Sequence, residues 1–495
     1  MNLFKRFAET AGSHPEKIAI CWGDDEYSYD WVRERAARLA SRLTGEVGLQ
    51  PGERVAVWLK NCPEFVPTLF GVWQAGGVVV MINNFLKADE VDFILSDSGA
   101  RVVISDASSA EKRQDLEGRG KDWKFLSIED YEGWTDAARD ADGRDEGELA
   151  ALLYTSGTTG RPKGAMLSHG NFLHNVQSCI ECLEIQEDDR MIVLLPQFHS
   201  FMFTVGTLAP MIAGCGIVLL KSLHPFKNVI VEIIKRRGTI LPAVPPLYRS
   251  LAQTPELPPL PLRLCISGGA PLPVETLKEF QSKYPYPLIE GYGPTESSPV
   301  ATVNPLKGPR KEGSVGIPIP RVELSIRDDD GNELATGETG ELCIRGGNVM
   351  QGYWKQPEET AKTIRDGWLY TGDIGHRDEE NYFYITDRKK DMLLVNGINV
   401  YPREIEEIIH QFAGIKEAAV IGLQDPRRGE QPIAYVAPVE DATIDAAELL
   451  KFIRGKLADY KVPREIRELE ALPRNATGKI LKTTLRQMAQ DQTST

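Results

Sequence analysis

The chain has 495 residues, more than a single hydrophobic core usually organises, and this length predicts at least two domains. Its composition, 42% hydrophobic and 26% charged, is typical of an ordinary globular protein. The formal net charge of −14 argues against a nucleic-acid partner and against an anionic membrane surface, so we expect at most peripheral membrane contact. Anionic ligands must therefore be held by local groups such as helix N-termini, backbone amides or a metal ion.

The seven cysteines show no disulfide framework, and their odd number predicts a reducing, cytoplasmic compartment. Cys179 and Cys182 form one CxxC pair in a helix-like stretch, where buried thiols are favoured over a redox or metal site. The N-terminus lacks the apolar segment of a signal peptide. Residues 65–86 and 191–220 carry no formal charge, but glycines and prolines interrupt both segments, which indicates core helices and strands rather than membrane spans.

The first part of the chain alternates helical patterns with short β-branched runs, which predicts βαβ units and mostly parallel sheets. The predicted strands are 55–59, 78–82, 101–105, 217–220, 239–244 and 262–267. Residues 322–327 and 340–345 instead alternate apolar and polar side chains, and Asp330-Gly331 lies between them. This second pattern predicts an antiparallel section with a turn.

A third pattern follows a run of charged residues at 387–391. Pro402 fits the first position of a helix with an apolar face. That face consists of Ile405, Ile408, Ile409 and Phe412. Strands are predicted at 418–423 and 433–439, and a second amphipathic helix at 449–458.

The predicted fold class is therefore α/β. A large N-terminal domain (1–387) combines mostly parallel sheets and helices with an antiparallel β section. The charged run between the two folding units predicts a hinge (388–391), with a solvated charge cluster as the alternative, and a small, mobile α+β C-terminal domain (392–495) follows it.

The most informative segment is YTSGTTGRPKG, from Tyr154 to Gly164. Its glycines let backbone amides approach an anion, and its serine and threonine hydroxyls can donate to phosphate oxygens. Lys163 adds a cation, but it stands between proline and glycine, so the segment is not a Walker P-loop. A flexible linker is the alternative, yet the segment lies between core strands, which favours phosphate binding.

Five segments follow one another in a fixed order: TSGTTGRPKG (155–164), GYGPTES (291–297), YTGDIG (370–375), DRKKDMLLVNGINVYPREIE (387–406) and PRNATGKILK (473–482). Together they resemble the signature motifs of the adenylate-forming superfamily, which includes acyl- and aryl-CoA synthetases, peptide-synthetase adenylation domains and firefly luciferase. The resemblance covers nearly the whole chain and is strongest to fatty-acyl-CoA synthetases. It implies that ATP and Mg²⁺ activate a carboxylic acid as an acyl-adenylate, and that coenzyme A then accepts the acyl group.

The resemblance also implies which residues bind the nucleotide. They are Thr155, Ser156, Gly157, Thr158, Thr159, Lys163, Gly269, Ala270, Tyr292, Gly293, Asp373 and Arg388. Tyr292 is expected to stack on the adenine, whose other face meets the backbone at 268–270. Asp373, assisted by Arg388, is expected to hold the ribose hydroxyls. Taken alone, Tyr292 would be a packed loop tyrosine and Asp373 a turn residue.

Four residues receive catalytic roles from the same resemblance: Lys479, Glu296, Thr295 and His199. Lys479 would stabilise the charge that accumulates when a carboxylate attacks the α-phosphorus. Glu296 would bind Mg²⁺, and Thr295 would contact the α-phosphate. His199 would lie beside the substrate carboxylate, as a steric gate or as a hydrogen-bonding group. By itself, a histidine in an apolar run is more often a core residue.

The resemblance further implies that the small domain rotates about Lys390 between the two half-reactions. Asn396 and Gly397 would then line the tunnel for the pantetheine arm of CoA, where a glycine leaves room. A β-turn between a strand and a helix is the alternative role for Gly397.

The segments expected to form the acyl pocket are 198–206, 243–247 and the surroundings of Gly291. They are apolar and offer no charge to a second polar group, so an aliphatic or aromatic acid fits better than an amino acid. The segment HSFMFTVGTLAPMIAG (199–214) most resembles fatty-acyl synthetases, which favours a fatty acid, with an aryl or cyclic acid as the alternative. Free CoA is the expected acceptor, and an acyl carrier protein is the alternative. A homodimer is compatible with the sequence.

Two other functional classes remain as rivals. A binding protein without catalysis would be expected to lack Lys479 or Glu296, and both are present. A luciferase-like oxygenase shares the motifs but finds no support in the generic apolar pocket.

Overall fold

The computed structural model describes residues 1–133, 144–155, 162–223, 225–254, 257–425, 429–440, 442–475 and 479–493. The helices are α1 (Leu3–Ser13), α2 (Tyr29–Arg42), α3 (Phe65–Gln74), α4 (Ala88–Ser98), α5 (Ala110–Glu117), α6 (His169–Cys182), α7 (Ala209–Ala213), α8 (Phe226–Lys235), α9 (Pro245–Gln253), α10 (Val274–Lys283), α11 (Pro357–Thr363), α12 (Pro402–His410), α13 (Ala446–Arg454) and α14 (Lys482–Thr493).

The strands are β1 (Ile18–Trp22), β2 (Asp25–Ser28), β3 (Arg54–Trp58), β4 (Val78–Met81), β5 (Val102–Ser105), β6 (Lys124–Ser127), β7 (Leu149–Thr155), β8 (Lys163–Ser168), β9 (Arg190–Val193), β10 (Gly216–Leu219), β11 (Ile240–Ala243), β12 (Leu264–Ser267), β13 (Leu288–Tyr292), β14 (Thr302–Val303), β15 (Ile317–Pro318), β16 (Val322–Arg327), β17 (Gly340–Gly346), β18 (Gly352–Tyr353), β19 (Ile364–Arg365), β20 (Trp368–Arg377), β21 (Phe383–Arg388), β22 (Leu393–Val395), β23 (Ile398–Val400), β24 (Ile415–Asp425), β25 (Gly429–Pro438) and β26 (Ile466–Glu468).

Two large sheets form the N-terminal part of the chain. One has the strand order β15-β14-β13-β12-β11-β9-β10-β1-β2, and its run from β13 to β1 is parallel. The other has the order β18-β8-β7-β4-β3-β5-β6, and its run from β7 to β6 is parallel. All six strands predicted in this region are present, so the expectation of βαβ units is confirmed.

The main hydrophobic core lies between these sheets and includes α1, α2, α3 and α6. The rings of Phe7 and Phe70 stack there with centroids 3.8 Å apart. Trp73 packs edge-on against Phe203, which comes from the second charge-free segment. Both of these segments are thus core helices and strands, as predicted. Among the residues described, no helix combines the length and the apolarity that a membrane span requires.

An antiparallel sheet follows, with the order β16-β17-β20-β19 and with β21 paired to β20. β16 and β17 pair in register from Val322↔Gly346 to Arg327↔Glu341, and the predicted turn at Asp330-Gly331 connects them. The antiparallel section predicted from the alternating pattern is confirmed.

The residues from Leu393 onward, which we call the C-terminal unit, build a further sheet with the order β23-β22-β25-β24 and β26 beside β25. Its two cores pack α12 and α13 on one face and α14 on the other. The predicted helix at 449–458 is wrong at both ends. α13 begins at Ala446, because Asp445 accepts from the amides of Ala447 and Glu448, and it ends at Arg454, before Gly455. The predicted fold class is otherwise confirmed.

Candidate active site

The candidate site lies at the carboxyl ends of two neighbouring parallel strands. β12 leads into Gly268, Gly269 and Ala270, and β13 ends at Tyr292. Loops that follow adjacent parallel strands meet at one edge of a sheet, which is where open α/β sheets bind ligands. The topology therefore places the predicted adenine-binding segments side by side.

Tyr292, Asp373 and Arg388 form one hydrogen-bonded and ion-paired cluster, which we call the nucleotide group after its predicted role. The Tyr292 hydroxyl donates to Asp373 Oδ2 at 2.6 Å, and Arg388 Nε lies 3.3 Å from Asp373 Oδ1. Asp373 and Arg388 face each other across β20 and β21, so the antiparallel sheet fixes their pairing. Burial, followed by the charge of Asp373, raises the pKa of Tyr292 well above its usual value, which keeps the phenol protonated as a donor.

Thr295 and Glu296 begin a short 3-10 turn directly after β13. Thr295 Oγ1 lies 3.0 Å from Ser200 Oγ, and the Tyr353 hydroxyl donates to Glu296 Oε1 at 2.8 Å. Sequence analysis did not single out Ser200 or Tyr353. Ser200 stands next to His199, which was a usable signal, whereas nothing around Tyr353 indicates its role.

Glu296 fits the chemistry of a magnesium site. Mg²⁺ prefers oxygen ligands and is usually bound by one or two carboxylates together with substrate phosphates. The Glu296 carboxylate provides such a ligand next to the Thr295 hydroxyl, at the same sheet edge as the nucleotide group.

Lys163 lies at the start of β8, opposite Thr155 at the end of β7. Its buried Nζ lies 2.5 Å from Glu359 Oε2 and over the ring of Tyr353. The predicted phosphate cation is therefore paired with a carboxylate from α11, a partner that no sequence pattern indicates. Ser156, Gly157, Thr158 and Thr159 lie outside the described residues.

His199 and Lys479 come together from distant parts of the chain. Burial and then the charge of Lys479 lower the pKa of His199 to about 4. Burial, followed by the charge of Arg388, lowers the pKa of Lys479 to about 8, and Asp373 acts in the opposite direction. Lys479 therefore lies in the electrostatic reach of both His199 and the nucleotide group.

A cavity of about 50 Å³ lies beside His199 and Tyr292. Its other walls include Cys179, Cys182, Leu183, Phe201, Val205 and Ile266. Of the segments predicted to form the acyl pocket, 198–206 contributes His199, Ser200, Phe201 and Val205 to this cavity, Gly291 also lines it, and 243–247 is not among its lining residues. The cysteines of α6 that line the cavity are free.

Gly293 has a structural reason to be glycine. A Cβ at this position would lie 1.7 Å from the carbonyl oxygen of Pro299, so the fold requires glycine there whatever the ligand.

Asn396 and Gly397 form the two-residue turn between β22 and β23, not a turn between a strand and a helix. Both have positive φ, 53° and 80°, as hairpin turns of this length require. They are exposed, and a Cβ at Gly397 would meet no atom within 4 Å. In this arrangement the structure does not pack the predicted tunnel residues against the nucleotide group.

Comparison with known proteins agrees with this geometry. The model of the AMP-binding enzyme family matches residues 7–354, and that of the AMP-binding enzyme C-terminal domain matches residues 404–479. The chain belongs to the AMP-binding enzyme family. It is an AMP-forming acid–thiol ligase of the adenylate-forming superfamily, and its cofactors are ATP, Mg²⁺ and coenzyme A.

Two curated relatives of this AMP-binding enzyme are similar over nearly their whole length. The long-chain-fatty-acid–CoA ligase of Bacillus subtilis is 35% identical over 520 residues, which cover 96% of this chain and 92% of the relative. The feruloyl-CoA synthase of Amycolatopsis sp is 36% identical over 483 residues, which cover 95% of this chain and 96% of the relative.

Solved structures of MatB from Rhodopseudomonas palustris are 34% identical to this AMP-binding enzyme and cover 99% of both chains. The TM-score is 0.93 for ATP-bound MatB and 0.79 for apo MatB. The arrangement of this chain is thus closer to that of ATP-bound MatB.

Proposed function

We propose that this enzyme is an ATP-dependent acyl-CoA synthetase for an apolar monocarboxylic acid, with a fatty acid as the first candidate. The observation that carries the proposal is the cavity beside His199. None of its described lining residues carries a formal charge, and aliphatic side chains and thiols dominate its walls. Such a cavity offers no partner to a second carboxylate or to an amine, which burial would leave uncompensated.

In the first half-reaction a carboxylate oxygen of the acid bonds to the α-phosphorus of ATP, and the bond to pyrophosphate breaks. The attack brings two anions together, so a cation is needed where charge accumulates. We assign this role to Lys479, whose charge acts on His199 and is itself influenced by Asp373. Mg²⁺ would neutralise phosphate charge when bound at Glu296.

Tyr292, Asp373 and Arg388 position the nucleotide in this proposal. Asp373 is buried, accepts a hydrogen bond from Tyr292 on one oxygen and is ion-paired with Arg388 on the other. A carboxylate held in this way presents a fixed acceptor geometry to two adjacent ribose hydroxyls. Thr295 is assigned to the α-phosphate from the motif that it shares with the family, and the contact with Ser200 holds its hydroxyl in place.

In the second half-reaction the sulfur of CoA bonds to the acyl carbon, and the bond to AMP breaks while the thiol loses its proton. The proposal assigns Lys390 to a hinge and Asn396-Gly397 to the thiol tunnel. Its support is the hairpin position of the latter two and the exposed apolar side chains of Leu394 and Ile398 beside them. An exposed apolar pair is typical of a surface that another arrangement covers.

An aryl acid is the second candidate. The cavity lining includes the aromatic rings of Phe201 and Tyr292, which can pack against a planar acyl group. The two curated relatives divide in the same way, since one is named for a long-chain fatty acid and the other for ferulate. The small cavity volume favours a compact acyl group over an extended one.

Acid-dependent pyrophosphate release from the purified enzyme tests the substrate class. Hexanoate, palmitate, benzoate, ferulate, succinate and glycine form a suitable panel with ATP and Mg²⁺. We expect release with hexanoate or an aryl acid and background release with succinate and glycine. Succinate or glycine as the best substrate would overturn the proposal.

Repeating the assay with CoA or with an acyl carrier protein identifies the acceptor. We expect a CoA thioester and AMP. A cytoplasmic location and a homodimer also belong to the proposal, and fractionation and size-exclusion chromatography test them.

A further inference from the structure

A polar face of α12, with Arg403 buried and Glu407 and His410 partly buried, joins the C-terminal unit to the rest of the protein. Ile405 and Ile409 of α12 lie in the hydrophobic core of the C-terminal unit. Arg403, Glu407 and His410 follow at spacings of four and three residues, so they share a different face of the helix. Burial is the main cause of a raised pKa at Glu407 and of a lowered pKa, about 4, at His410. This polar face is therefore partly withdrawn from solvent.

Residues of the N-terminal part cover this face. Glu290, in β13, is buried, and the charge of Arg403 acts on it as well as on Glu407. The backbone amide of Val274, at the start of α10, stabilises the ionised form of Glu407. The charge of Arg249, in α9, acts on His410. The seam between the two parts thus consists of polar and charged groups.

Arg249 makes the most direct contact across this seam. Its Nη1 donates to the carbonyl oxygen of Lys416 at 2.6 Å, and its Nη2 donates to the carbonyl oxygen of Ile415. Both carbonyls lie at the start of β24, shortly after α12. Because the guanidinium is planar and rigid, these two hydrogen bonds form and break together.

The segment that Arg249 holds is connected to Lys479. Glu417, the next residue of β24, lies 3.1 Å from Arg474 and accepts from the amide of Leu472 at 3.2 Å. Asn475, the neighbour of Arg474, exchanges two hydrogen bonds of 2.9 Å with the backbone of Lys479. A continuous path of contacts therefore runs from α9 through β24 to the loop that carries Lys479.

We propose that Arg249 is a positioning residue for adenylation, which holds the carbonyls of Ile415 and Lys416 and thereby keeps Lys479 in the active site. This inference rests on the proposed function, because only the first half-reaction uses Lys479. A polar seam suits a contact that must open, since water replaces its hydrogen bonds when the C-terminal unit moves away. An apolar seam would resist that opening.

The test compares Arg249→Ala, Arg249→Lys and the matched control Arg33→Ala, which removes an exposed arginine in α2. Acid-dependent pyrophosphate release reports the first half-reaction, and thioester formation from supplied acyl-adenylate reports the second. For Arg249→Ala we expect kcat of the first to fall about tenfold, the loss typical of a hydrogen bond with a charged donor. The second should be unchanged or faster. Arg249→Lys keeps the charge but lacks the two guanidinium nitrogens that donate to both carbonyls at once, so it should recover part of the loss.

An equal loss in both half-reactions, or no loss in the first, would overturn the inference. Trypsin cleavage after Lys389 or Lys390 gives a readout that needs no substrate. We expect faster cleavage in Arg249→Ala than in wild type and in Arg33→Ala, with melting temperatures that stay close. Equal cleavage rates would also overturn the inference. Failure of the wild-type enzyme to activate any acid would instead refute the proposed function, and cleavage would still decide the role of Arg249.

Discussion

The ammonium group of Lys479 lies close enough to His199 to affect the protonation of the imidazole. Burial comes first and the charge of Lys479 second among the causes that lower the pKa of His199 to about 4. His199 is therefore neutral at physiological pH, and it offers a substrate carboxylate a hydrogen bond but no charge. The cation that this carboxylate needs comes from the C-terminal unit, so the first half-reaction depends on how that unit is placed.

Lys479→Ala should lower acid-dependent pyrophosphate release by about 100-fold or more, since it removes a group aimed at transition-state charge. Thioester formation from supplied acyl-adenylate should persist. Both rates are measured on one preparation, with Lys456→Ala, an exposed lysine after α13, as the control. An equal fall in both rates would mean that Lys479 supports the fold or serves both steps.

The pH dependence of adenylation should report the same lysine. Burial, followed by Arg388, lowers the pKa of Lys479 to about 8. The cation exists below that pKa and is lost above it, so kcat/KM for pyrophosphate release should fall as pH rises through about 8. In Lys479→Arg the guanidinium stays charged, and this decrease should move to higher pH. A decrease near pH 8 that persists in Lys479→Arg would assign the titration to another group.

Glu296→Gln should raise the Mg²⁺ concentration that half-maximal activity requires by about tenfold, because an amide is a weaker ligand than a carboxylate. The matched variant is Tyr353→Phe, which removes the hydrogen bond to Glu296 Oε1 and leaves the carboxylate in place. It should show a smaller change in the same direction. The melting temperature of Glu296→Gln should stay near that of wild type. A large loss of melting temperature with unchanged Mg²⁺ dependence would contradict a metal-binding role.

Most of the architecture could be predicted because local patterns determine it. The short, β-branched apolar runs at 78–82 and 262–267 indicate buried strands, and Pro402 with its isoleucines marks the start of α12. The end of α13 could not be placed in this way. The apolar pattern continues to Leu457, but the helix stops before Gly455, where the main chain turns back toward β26.

In the candidate site, the motif residues could be predicted from the sequence and their partners could not. Motif residues such as Tyr292 and Asp373 could be predicted from the resemblance, and their hydrogen bond follows from the meeting of two sheets. Their partners Tyr353 and Glu359 could not, because they belong to no motif and reach the site through tertiary packing alone. The role of Arg249 could not be predicted either, because its acceptors are backbone carbonyls, which no side-chain pattern indicates.

Lys390→Pro should retain adenylation and lose most thioester formation. The residues on either side of Lys390 contact different parts of the protein. The Lys389 amide donates to Gly372 of the N-terminal part, whereas Asp391 binds Arg486 of α14. A proline fixes φ and restricts the preceding residue, so it hinders a rotation centred here. Lys390→Ala is the control and should keep both half-reactions. Loss of adenylation in Lys390→Pro would indicate misfolding of the junction instead.

Substitutions of Gly397 should show whether this residue lines the thiol tunnel or only forms the turn between β22 and β23. A leucine at φ 80° is strained by about 1–2 kcal/mol, so Gly397→Leu mixes strain with bulk. Asparagine tolerates the left-handed conformation, as Asn396 does at φ 53°, and Gly397→Asn therefore adds a side chain with little strain. Because a Cβ meets nothing within 4 Å in this arrangement, Gly397→Asn should adenylate as wild type does.

If Gly397 lines the thiol path, thioester formation should fall about tenfold in Gly397→Asn and further in Gly397→Leu. If the residue only forms the β22–β23 turn, Gly397→Asn should perform both half-reactions normally, and Gly397→Leu should lose melting temperature and both activities together.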